Sequence, residues 1–349
     1  MATTAESMLD EAPGGTSGPR LSVIIPTWNR SALTLRAVRS VLDQPNAKHL
    51  EVIVVIDGST DDTETVLRAA HGADARVKIM VIPRSGVSAA RNAGFAESRG
   101  ELVCFLDSDD YWMPDAFATA ESVFAGHPEL VFVSLDGSTL PRPGAPALAR
   151  VMRTNGPGWS HAAFERAPLV SESVRLGNTE RATRVLRGDF FPAIVQGDLF
   201  QVDGLFMRRE AVLRAGFFDE RFDYLEDWEF FARLCLQGHG AYVDCAGFCR
   251  DVGRPDELCH GRPDLLVRMR HFQILRSLPR RFPEHTAVYA EHLRGVMVDA
   301  CYQMGATLSR NRHRSWARRY LARCLRRRYK IGRSLIHLAA SLFPRRSGR

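Results

Sequence analysis

Three carboxylates crowd into four consecutive positions, Asp107, Asp109 and Asp110, directly after an apolar run that ends at Leu106. Like charges at this spacing repel one another, so the acidic segment, residues 107–110, needs a counter-charge. Oxygen-only ligands favour Mn²⁺ or Mg²⁺, which proteins commonly hold with one or two carboxylates plus substrate phosphates. Asp107 and Asp109 would share one face of an extended chain. By itself the pattern is also typical of a solvated acidic turn in which Ser108 or Asp110 caps the next helix.

A second acidic pair, Glu226 and Asp227, stands among the apolar residues Leu225, Trp228 and Phe230. Burial among such neighbours raises the pKa of a carboxyl group, as a general base that works near neutral pH requires. A carboxylate in this setting can take the proton of an attacking hydroxyl group. Acidic residues at a helix start are also stabilised by the helix dipole without any catalytic role, and the pair alone does not separate these interpretations.

The segment that carries the first carboxylates alternates short apolar runs with helical patterns from residue 21 to residue 110. Near-continuous apolar strands separated by helices predict an α/β fold, with a mostly parallel sheet covered by helices on both faces. Ligands of such sheets bind beyond the carboxyl ends of the strands, where the polar residues of interest fall. The predicted strands are 21–26, 52–57, 77–82 and 102–107, and the predicted helices are 31–42, 62–70 and 87–98.

Composition excludes several classes of protein. The chain has 349 residues, 45% hydrophobic and 25% charged, as in globular proteins with a large core. No apolar run approaches the roughly 18 residues of a membrane span, and the first twenty residues lack the apolar core of a secretory signal. Seven scattered cysteines suit reduced thiols in a cytoplasm better than a disulfide framework. Cys245, Cys249, Cys259 and His260 lack the paired spacing that is usual for zinc ligands.

The net charge of +7 hides a strongly basic tail. Residues 310–349 contain fourteen Lys and Arg and no Asp or Glu, whereas the rest of the chain has 33 basic and 40 acidic residues. Apolar residues recur in the tail at helical spacing, which predicts a basic amphipathic helix. They are Trp316, Tyr320, Cys324, Ile331, Leu335, Leu338 and Leu342. Such a helix can lie on an anionic bilayer, bind nucleic-acid phosphate, or dock its apolar stripe on the rest of the protein.

Four motifs in a fixed order place the acidic segment in a wider context. They are Ser-Val-Ile-Ile-Pro-Thr-Trp-Asn-Arg at 22–30, Val-Ile-Asp-Gly-Ser-Thr-Asp-Asp at 55–62, Gly-Val-Ser-Ala-Ala-Arg-Asn-Ala-Gly at 86–94 and Asp-Ser-Asp-Asp at 107–110. Together they resemble the family 2 inverting glycosyltransferases, which have the GT-A fold of nucleotide-diphospho-sugar transferases. The match covers about residues 20–115 and returns at 206–210, 216–219 and 225–228.

The resemblance implies a donor-binding set at the matching positions. Trp28 would stack on the nucleobase, with Pro26 in the same motif, and Asp57 would accept the uracil N–H, which favours a uridine nucleotide. Arg91 and Asn92 would lie beside the nucleotide. Arg91 equally suits a structural ion pair with Asp57 or with the first carboxylate of the acidic segment.

The resemblance also implies which carboxylates do the chemistry. Asp109 would be the main ligand of a Mn²⁺ or Mg²⁺ ion, with Asp107 holding the ribose or a water-mediated contact to the metal, and Asp110 as an alternative ligand. The metal would bridge the two phosphates and neutralise charge on the departing nucleoside diphosphate. Asp227 would be the general base and Glu226 would position the acceptor. A single displacement of this kind inverts the configuration of the anomeric carbon.

The chain departs from the family pattern at two places. Relatives often have the sequence Asp-Asp-Gly-Ser at this site, whereas this chain has Ile56 in place of the first Asp and keeps Asp57. The replacement affects only secondary contacts to the base. Relatives also often carry a histidine near the metal, two residues after an arginine. This chain keeps Arg250 but has Val252 at the histidine position, so a histidine ligand is not expected.

Motifs and composition together predict three parts of the chain. The first is a disordered tail rich in Gly, Pro and Ser, the second the transferase domain, and the third a helical region that ends in the basic tail. Their bounds are 1–19, 20–262 and 263–349. The domain divides into a nucleotide-sugar half at 20–135, an irregular excursion at 136–199 and an acceptor half at 200–262. Helices are predicted at 264–278, 284–308 and 314–342.

We therefore expect a cytoplasmic, metal-dependent glycosyltransferase that moves a sugar from a UDP-sugar to a hydroxyl group of a glycan or glycolipid. The basic tail would hold it at the inner face of the plasma membrane. The nearest alternative enzyme is a sugar nucleotidyltransferase, but residues 26–30 offer no Gly-rich phosphate loop. The non-enzyme alternative is a nucleic-acid-binding protein that uses the arginine tail. Kinases and dehydrogenases lack support, because neither of their glycine signatures is present.

Overall fold

The computed structural model describes residues 18–140, 168–175, 182–251, 264–311, 313–327 and 329–342. These residues form a ten-stranded sheet flanked by helices, followed by a group of C-terminal helices. The strands are β1 (Leu21–Thr27), β2 (Leu50–Asp57), β3 (Val77–Ile82), β4 (Leu102–Phe105), β5 (Tyr111–Trp112), β6 (Phe132–Thr139), β7 (Leu169–Arg175), β8 (Ala182–Gly188), β9 (Leu205–Arg208) and β10 (Gly240–Arg250). The helices of the sheet region are α1 (Ser31–Leu42), α2 (Thr63–His71), α3 (Val87–Glu97), α4 (Ala116–Gly126), α5 (Phe191–Ile194), α6 (Arg209–Ala215) and α7 (Glu226–Leu234). The C-terminal helices are α8 (Asp264–Arg281), α9 (Pro283–Ala287), α10 (Ala290–Arg310), α11 (Arg314–Arg326) and α12 (Ile331–Leu342).

The first four strands form the parallel sheet that the sequence predicts, and their order is β3-β2-β1-β4. Leu21 of β1 pairs with Leu50 on one side and with Leu102 on the other. Every residue of β1 and β2 is buried, which explains why both sequences are nearly continuous apolar runs. The strand order reverses at β1, with β2 on one side and β4 on the other, and ligands of such sheets bind outside the carboxyl ends of the strands at this point.

The second half of the sheet is mixed. Strand β9 runs antiparallel between β4 and β6, so Met207 pairs with both Val103 and Phe132 and joins the two halves. Strand β10 is parallel to β6 and antiparallel to β5 and β8. Within the interval 136–199, for which the sequence predicted an irregular segment, β7 and β8 form an antiparallel hairpin. Polar residues such as Glu172 and Arg184 interrupt its apolar alternation and hide the strands from sequence analysis.

Alternating residues of the central strands build two apolar clusters, one on each face of the sheet. Ile24 and Val55 point into the cluster that also holds Trp228 and the C-terminal helices. Val23 and Val54 point into the opposite cluster, under α1 and α4. The site at the strand ends therefore stands on a rigid support covered on both sides.

The basic tail forms two helices instead of the single one that the sequence predicted. Helices α11 and α12 are separated near Lys330, whose φ of 43° lies in the left-handed region. Helix α11 docks on α10 through Ala317, Leu321 and Cys324, which are fully buried. Trp316, which the sequence placed on the same apolar stripe, is 53% exposed. None of the described helices is both long and apolar enough to cross a membrane. Two members of the possible zinc group named above, residues 259 and 260, lie outside the described residues.

Candidate active site

Asp57 ends β2 and is buried among donors from one short turn. Its carboxylate accepts hydrogen bonds from the backbone N–H of Ser85 at 2.6 Å and of Gly86 at 2.9 Å, and from the guanidinium of Arg84. Gly58 permits this arrangement, since a Cβ there would lie 2.7 Å from the backbone nitrogen of Arg84. Three of the roughly four acceptor positions of this carboxylate are therefore filled by the chain itself.

Trp28 follows β1 and presents an open ring, with 46% of its surface exposed. The Arg84 guanidinium lies over this ring, 4.2 Å from the centroid. Arg84 thus connects the Trp28 ring to the Asp57 carboxylate. An exposed indole face at the mouth of the crevice is suited to stack on a planar base.

The loops after β1 and β2 are held together by hydrogen bonds. The backbone N–H of Asn29 donates to Ser59 Oγ at 3.0 Å, and the backbone N–H of Thr60 donates to Asn29 Oδ1 at 2.7 Å. Asn29 has a φ of 51°, in the left-handed region that asparagine tolerates better than most residues. The motifs at 22–30 and 55–62 therefore meet at one edge of the sheet.

Each carboxylate of the acidic segment has an arginine partner from elsewhere in the chain. Asp107 pairs with Arg91 at 2.8 Å, and Asp109 pairs with Arg30 at 2.8 Å. Asp110 is buried, accepts from the backbone N–H of residue 251 at 3.0 Å, and lies 3.7 Å from Arg250. The expected counter-charge is thus partly supplied by side chains that the sequence places far from the segment.

A fourth carboxylate, Asp203, belongs to this cluster and escaped sequence analysis. It lies on the short 3₁₀ turn before β9, is buried, and accepts from the backbone N–H of Asp107 at 2.9 Å. Burial and the nearby Asp107 raise the pKa of Asp203 to about 7. The sequence around Asp203, residues 200–207, is mostly apolar and strand-like, so no local signal marks this carboxylate.

The carboxylates of this region fit a divalent cation in their donor chemistry. One oxygen from each of Asp107, Asp110 and Asp203 lies within 4.8 Å of the others. Oxygens alone form the donor set, as Mg²⁺ and Mn²⁺ prefer. Burial, with Asp203 nearby, raises the pKa of Asp110 well above its usual range, so a positive charge here would relieve repulsion. Asp109, the predicted main ligand, lies outside this group of three, and its part in metal binding stays a prediction.

Arg91 joins the acidic segment to the first turn of α7. It is 2% exposed, and its two terminal nitrogens donate to different carboxylates: Nη2 to Asp107 at 2.8 Å and Nη1 to Glu226 at 2.9 Å. The structural ion pair with Asp107, which the sequence offered as an alternative for Arg91, is present. Its second partner is the residue that precedes the predicted base.

Asp227 stands in the first turn of α7, where the helix dipole stabilises negative charge. Its Oδ1 accepts from the backbone N–H of Trp228 at 2.7 Å. Burial and the adjacent Glu226 raise the pKa of Asp227 to about 7, against the lowering effect of Arg91. The preceding Leu225 has a φ of 58°, a strained conformation for a leucine that orients this turn.

Rigid contacts hold the first turn of α7. The indole N–H of Trp228 donates to the carbonyl of Ile194 at 2.6 Å, and its ring packs against His271 at a tilt of 34°, with the centroids 4.4 Å apart. One turn further, Glu229 and Arg233 form a fully buried ion pair at 2.6 Å. Asp227 is thus presented by a turn whose neighbours cannot easily move.

A second carboxyl group that sequence analysis missed, Asp198, lies close to the predicted base. Its Oδ1 is buried and has no hydrogen-bond partner among the described residues. Burial and the charge of Asp227 raise the pKa of Asp198, whereas Arg250 lowers it. An acceptor oxygen without a donor, beside a base, is suited to accept a hydrogen bond from a hydroxyl group of a bound sugar.

Asn92 is held by the chain itself. Its amide accepts from the backbone N–H of Phe218 at 3.0 Å and donates to the carbonyl of Phe218 at 3.0 Å and to Glu220 at 2.9 Å. These bonds fix the segment that precedes α7 against α3. Direct contact of Asn92 with a nucleotide stays a prediction, as does that of Pro26, which is buried within β1.

Comparison with known proteins identifies the first half of the domain. Residues 22–141 match the family model of glycosyl transferase family 2. The GalNAc(5)-diNAcBac-PP-undecaprenol beta-1,3-glucosyltransferase of Campylobacter jejuni is 39% identical over 103 residues, which are 29% of this chain and 33% of that protein. The chondroitin synthase of Pasteurella multocida is 41% identical over 98 residues, which are 28% of this chain and 10% of that protein. The match therefore spans a third or less of the length of these two relatives.

Solved structures extend the likeness to most of the fold. The structure of S. aureus TarS 1-349 in complex with UDP-GlcNAc superposes with a TM-score of 0.59 and 17% identity, covering 86% of this chain and 80% of that one. A longer TarS structure gives a TM-score of 0.54 and 18% identity, covering 81% and 43%. The predicted fold is confirmed, and residues 22–141 match the family that the four motifs resemble. The nucleotidyltransferase and nucleic-acid-binding alternatives are not favoured by these matches.

Proposed function

We propose that this chain, a family 2 glycosyltransferase of the GT-A fold, transfers a sugar with inversion from a UDP-sugar to a hydroxyl group of a glycan or glycolipid. The observation that carries the proposal is the double ion pair of Arg91, which fastens Asp107 of the donor side to Glu226, the neighbour of the base. Through it, two carboxylates that lie 119 residues apart in sequence are held together at the strand ends.

On the donor side, the exposed Trp28 ring stacks on the base and Asp57 accepts its ring N–H. Asp107 and Asp109 are the residues that would hold a Mn²⁺ or Mg²⁺ ion, with Asp110 and Asp203 as further oxygen donors, since an oxygen of each lies within 4.8 Å of one of Asp107. When bound, such an ion supplies positive charge that stabilises the departing diphosphate. Support for a uridine donor also comes from the TarS fold relative, whose structure contains UDP-GlcNAc.

On the acceptor side, Asp227 takes the proton of the attacking hydroxyl group. As that oxygen bonds to the anomeric carbon, the bond from this carbon to the diphosphate oxygen breaks on the opposite side, and the configuration inverts. A pKa near 7 leaves a substantial fraction of Asp227 ionised at neutral pH while keeping it basic enough to accept the proton. Glu226, which the resemblance assigns to acceptor positioning, gives one oxygen to Arg91 and so also fixes the turn that presents Asp227.

The acceptor and the location are proposed from the relatives and the charge of the tail. The Campylobacter relative is named for a lipid-linked acceptor, an undecaprenol diphosphate glycan. The Bacillus subtilis relative TuaG, 40% identical over 98 residues that are 28% of this chain and 38% of that protein, is named for putative teichuronic acid biosynthesis. A cytoplasmic enzyme with fourteen basic residues in 310–349 is suited to the anionic inner face of the plasma membrane.

The experiment that tests the function is a screen of UDP-, GDP- and dTDP-sugars with the full chain, with and without Mn²⁺. We expect slow Mn²⁺-dependent hydrolysis of a UDP-sugar and release of UDP, since water replaces a missing acceptor in such enzymes. The Asp227→Asn variant serves as the control for contaminating activity. Equal turnover of all donors, or none by the wild type with any donor or metal, would contradict the proposal.

A further inference from the structure

A second concave site lies among the C-terminal helices, away from the acidic segment. Helices α8, α9, α10 and α11 surround a groove of about 820 Å³, within the size range of ligand pockets. Its floor is apolar and is formed by Phe272, Leu275, Leu293, Met297 and Val298. The proposed transferase chemistry uses none of these residues.

The rim of the groove is strongly basic. Five exposed arginines border it: Arg276, Arg294, Arg323, Arg326 and Arg327. No Asp or Glu lines the groove, and within the described ranges none of these five arginines forms an ion pair with a carboxylate. Five like charges around one opening attract an anion, and guanidinium groups suit phosphate in particular.

The combination of floor and rim points to an amphiphile. A free phosphate needs the arginines but gains nothing from the apolar floor. A nucleic acid also gains little, because four of the five floor side chains are not aromatic and the Phe272 ring is only 9% exposed. A lipid uses both, because its chain buries apolar surface while its phosphate meets the guanidinium groups. Val288, between the groove residues of α9 and α10, is 82% exposed, as is expected of a residue that enters a lipid layer.

Helix α11 carries an additional interfacial residue. Trp316 is 53% exposed and stands seven residues before Arg323, so both lie on one face of the helix. Tryptophan favours the boundary between membrane and water, and arginines beside it favour an anionic leaflet. The exposed face of α11 and the groove therefore form one continuous surface.

Helix α8 connects this surface to the active site. Phe272 and Leu275 line the groove, whereas the adjacent His271 packs on Trp228 and contacts the carbonyl of Val195 at 2.9 Å. Trp228 directly follows the predicted base. One helix thus has the groove on one side and the support of the acceptor half on the other.

We propose that this groove binds an acidic phospholipid, with an acyl chain on the apolar floor and the phosphate on the arginine rim, and so fixes the active site at an anionic bilayer. The inference rests on the membrane location proposed above. In place of a general attraction between the basic tail and an anionic membrane, it assigns a defined binding site for one lipid.

Flotation of the full chain with vesicles of phosphatidylcholine, with or without phosphatidylglycerol, tests the site. We expect binding only to the anionic vesicles. The double variant Arg326→Glu with Arg327→Glu should reduce binding roughly tenfold or more, since each basic residue near such a surface contributes appreciably. Arg214→Glu with Arg318→Glu makes the same change of charge outside the groove and should retain most of the binding.

A second pair of variants separates the groove from surface charge. Ala290→Trp fills the groove without changing charge and should weaken binding to anionic vesicles, whereas His285→Trp, outside the groove, should not. The lipid site is overturned if Ala290→Trp binds anionic vesicles as the wild type does, or if both charge variants lose vesicle binding equally. Either result would assign binding to diffuse electrostatic attraction between the protein surface and the vesicles. Displacement of the vesicles by inorganic phosphate or by duplex DNA at equal charge concentration also overturns it.

UDP binding measured on the same proteins makes this test independent of the transferase proposal. We expect the four variants to bind UDP as the wild type does, which also shows that they are folded. Loss of vesicle binding by the groove variants with intact UDP binding supports the lipid site. Wild-type protein that binds vesicles but no nucleotide would contradict the proposed transferase function and leave the lipid site standing.

Discussion

Arg91 and Glu226 lie 135 residues apart in the chain, yet they form a buried ion pair with an Nη1 to Oε1 distance of 2.9 Å. The same guanidinium holds Asp107 with its other terminal nitrogen, at 2.8 Å. Arg91 therefore sets the separation between the strand end that carries the acidic segment and the helix that carries Asp227. A planar guanidinium can bridge two carboxylates through its two terminal nitrogens at a fixed angle, which the single ammonium group of lysine does not reproduce.

Replacement of Arg91 by methionine should destabilise the protein and impair donor binding together. Two carboxylates would lose their partner, one of them buried, and breaking such a pair costs about 3 kcal/mol of the free energy of unfolding. Urea denaturation measures this loss. Arg99→Met, which removes an exposed arginine that lies 3.4 Å from Glu51, is the control and should cost less than about 1 kcal/mol. Equal stability of the two variants would contradict the bridging role.

Metal binding can be assigned by comparing Asp109 with Asp203. We expect Asp109→Ala to weaken Mn²⁺-dependent binding of UDP roughly tenfold or more, as loss of a ligand does. Asp203→Asn keeps the acceptor for the backbone N–H of Asp107 and should have a smaller effect. Calorimetric titration of UDP with and without Mn²⁺ measures both. The reverse order of effects would assign the ion to the group of Asp107, Asp110 and Asp203 instead.

The Asp57 carboxylate should distinguish uridine from cytidine nucleotides. Uracil offers a ring N–H, whereas cytosine has an acceptor at that position, so an ionised carboxylate favours UDP over CDP. Asp57→Asn should reduce this preference roughly tenfold, the effect of one mismatched hydrogen bond in a closed site. Asp62→Asn changes an exposed residue of the same loop and should leave the preference unchanged. A UDP to CDP ratio that Asp57→Asn does not alter would remove Asp57 from base recognition.

The rate of transfer should depend on pH through Asp227. Its pKa is raised to about 7, so the ionised base is lost as the pH falls below that value, and kcat should drop about tenfold per pH unit. The folded protein also binds this proton more tightly than the unfolded chain. The contribution of Asp227 to stability therefore declines as the pH rises from 3.8 to about 7. Initial rates at saturating donor and acceptor test the profile. A constant kcat down to pH 5 would contradict the assignment.

Sequence analysis recovered the elements whose signals are local. Near-continuous apolar runs gave β1 to β4 within a few residues. Both faces of β1, β2 and β4 are covered, whereas β3 lies at the edge of the sheet and is partly buried. The pairing of Arg91 with Asp107 was foreseen as an alternative from charge alone. The polar hairpin β7–β8 was missed, since its apolar alternation is weak.

Features that depend on tertiary contacts stayed hidden. Asp203 looked like part of a strand, and its place behind Asp107 follows only from the insertion of β9 between β4 and β6. Asp198 carries no motif, and its importance lies in a buried oxygen without a partner. The arginines that neutralise the acidic segment come from three different elements that only the folded chain brings together: Arg30 from a loop, Arg91 from α3 and Arg250 from the end of β10.

The central claim is that Asp227 is the base of an inverting transfer in a crevice that binds the donor separately. Asp227→Asn keeps the oxygen that accepts the Trp228 N–H and should therefore fold and bind UDP as the wild type does. Asp223→Asn, an exposed residue a few positions earlier, is the matched control and should remain active. We predict that Asp227→Asn lowers the single-turnover rate of sugar transfer by at least about 10²-fold at unchanged UDP affinity. Transfer by Asp227→Asn at a rate near that of the wild type would contradict the account.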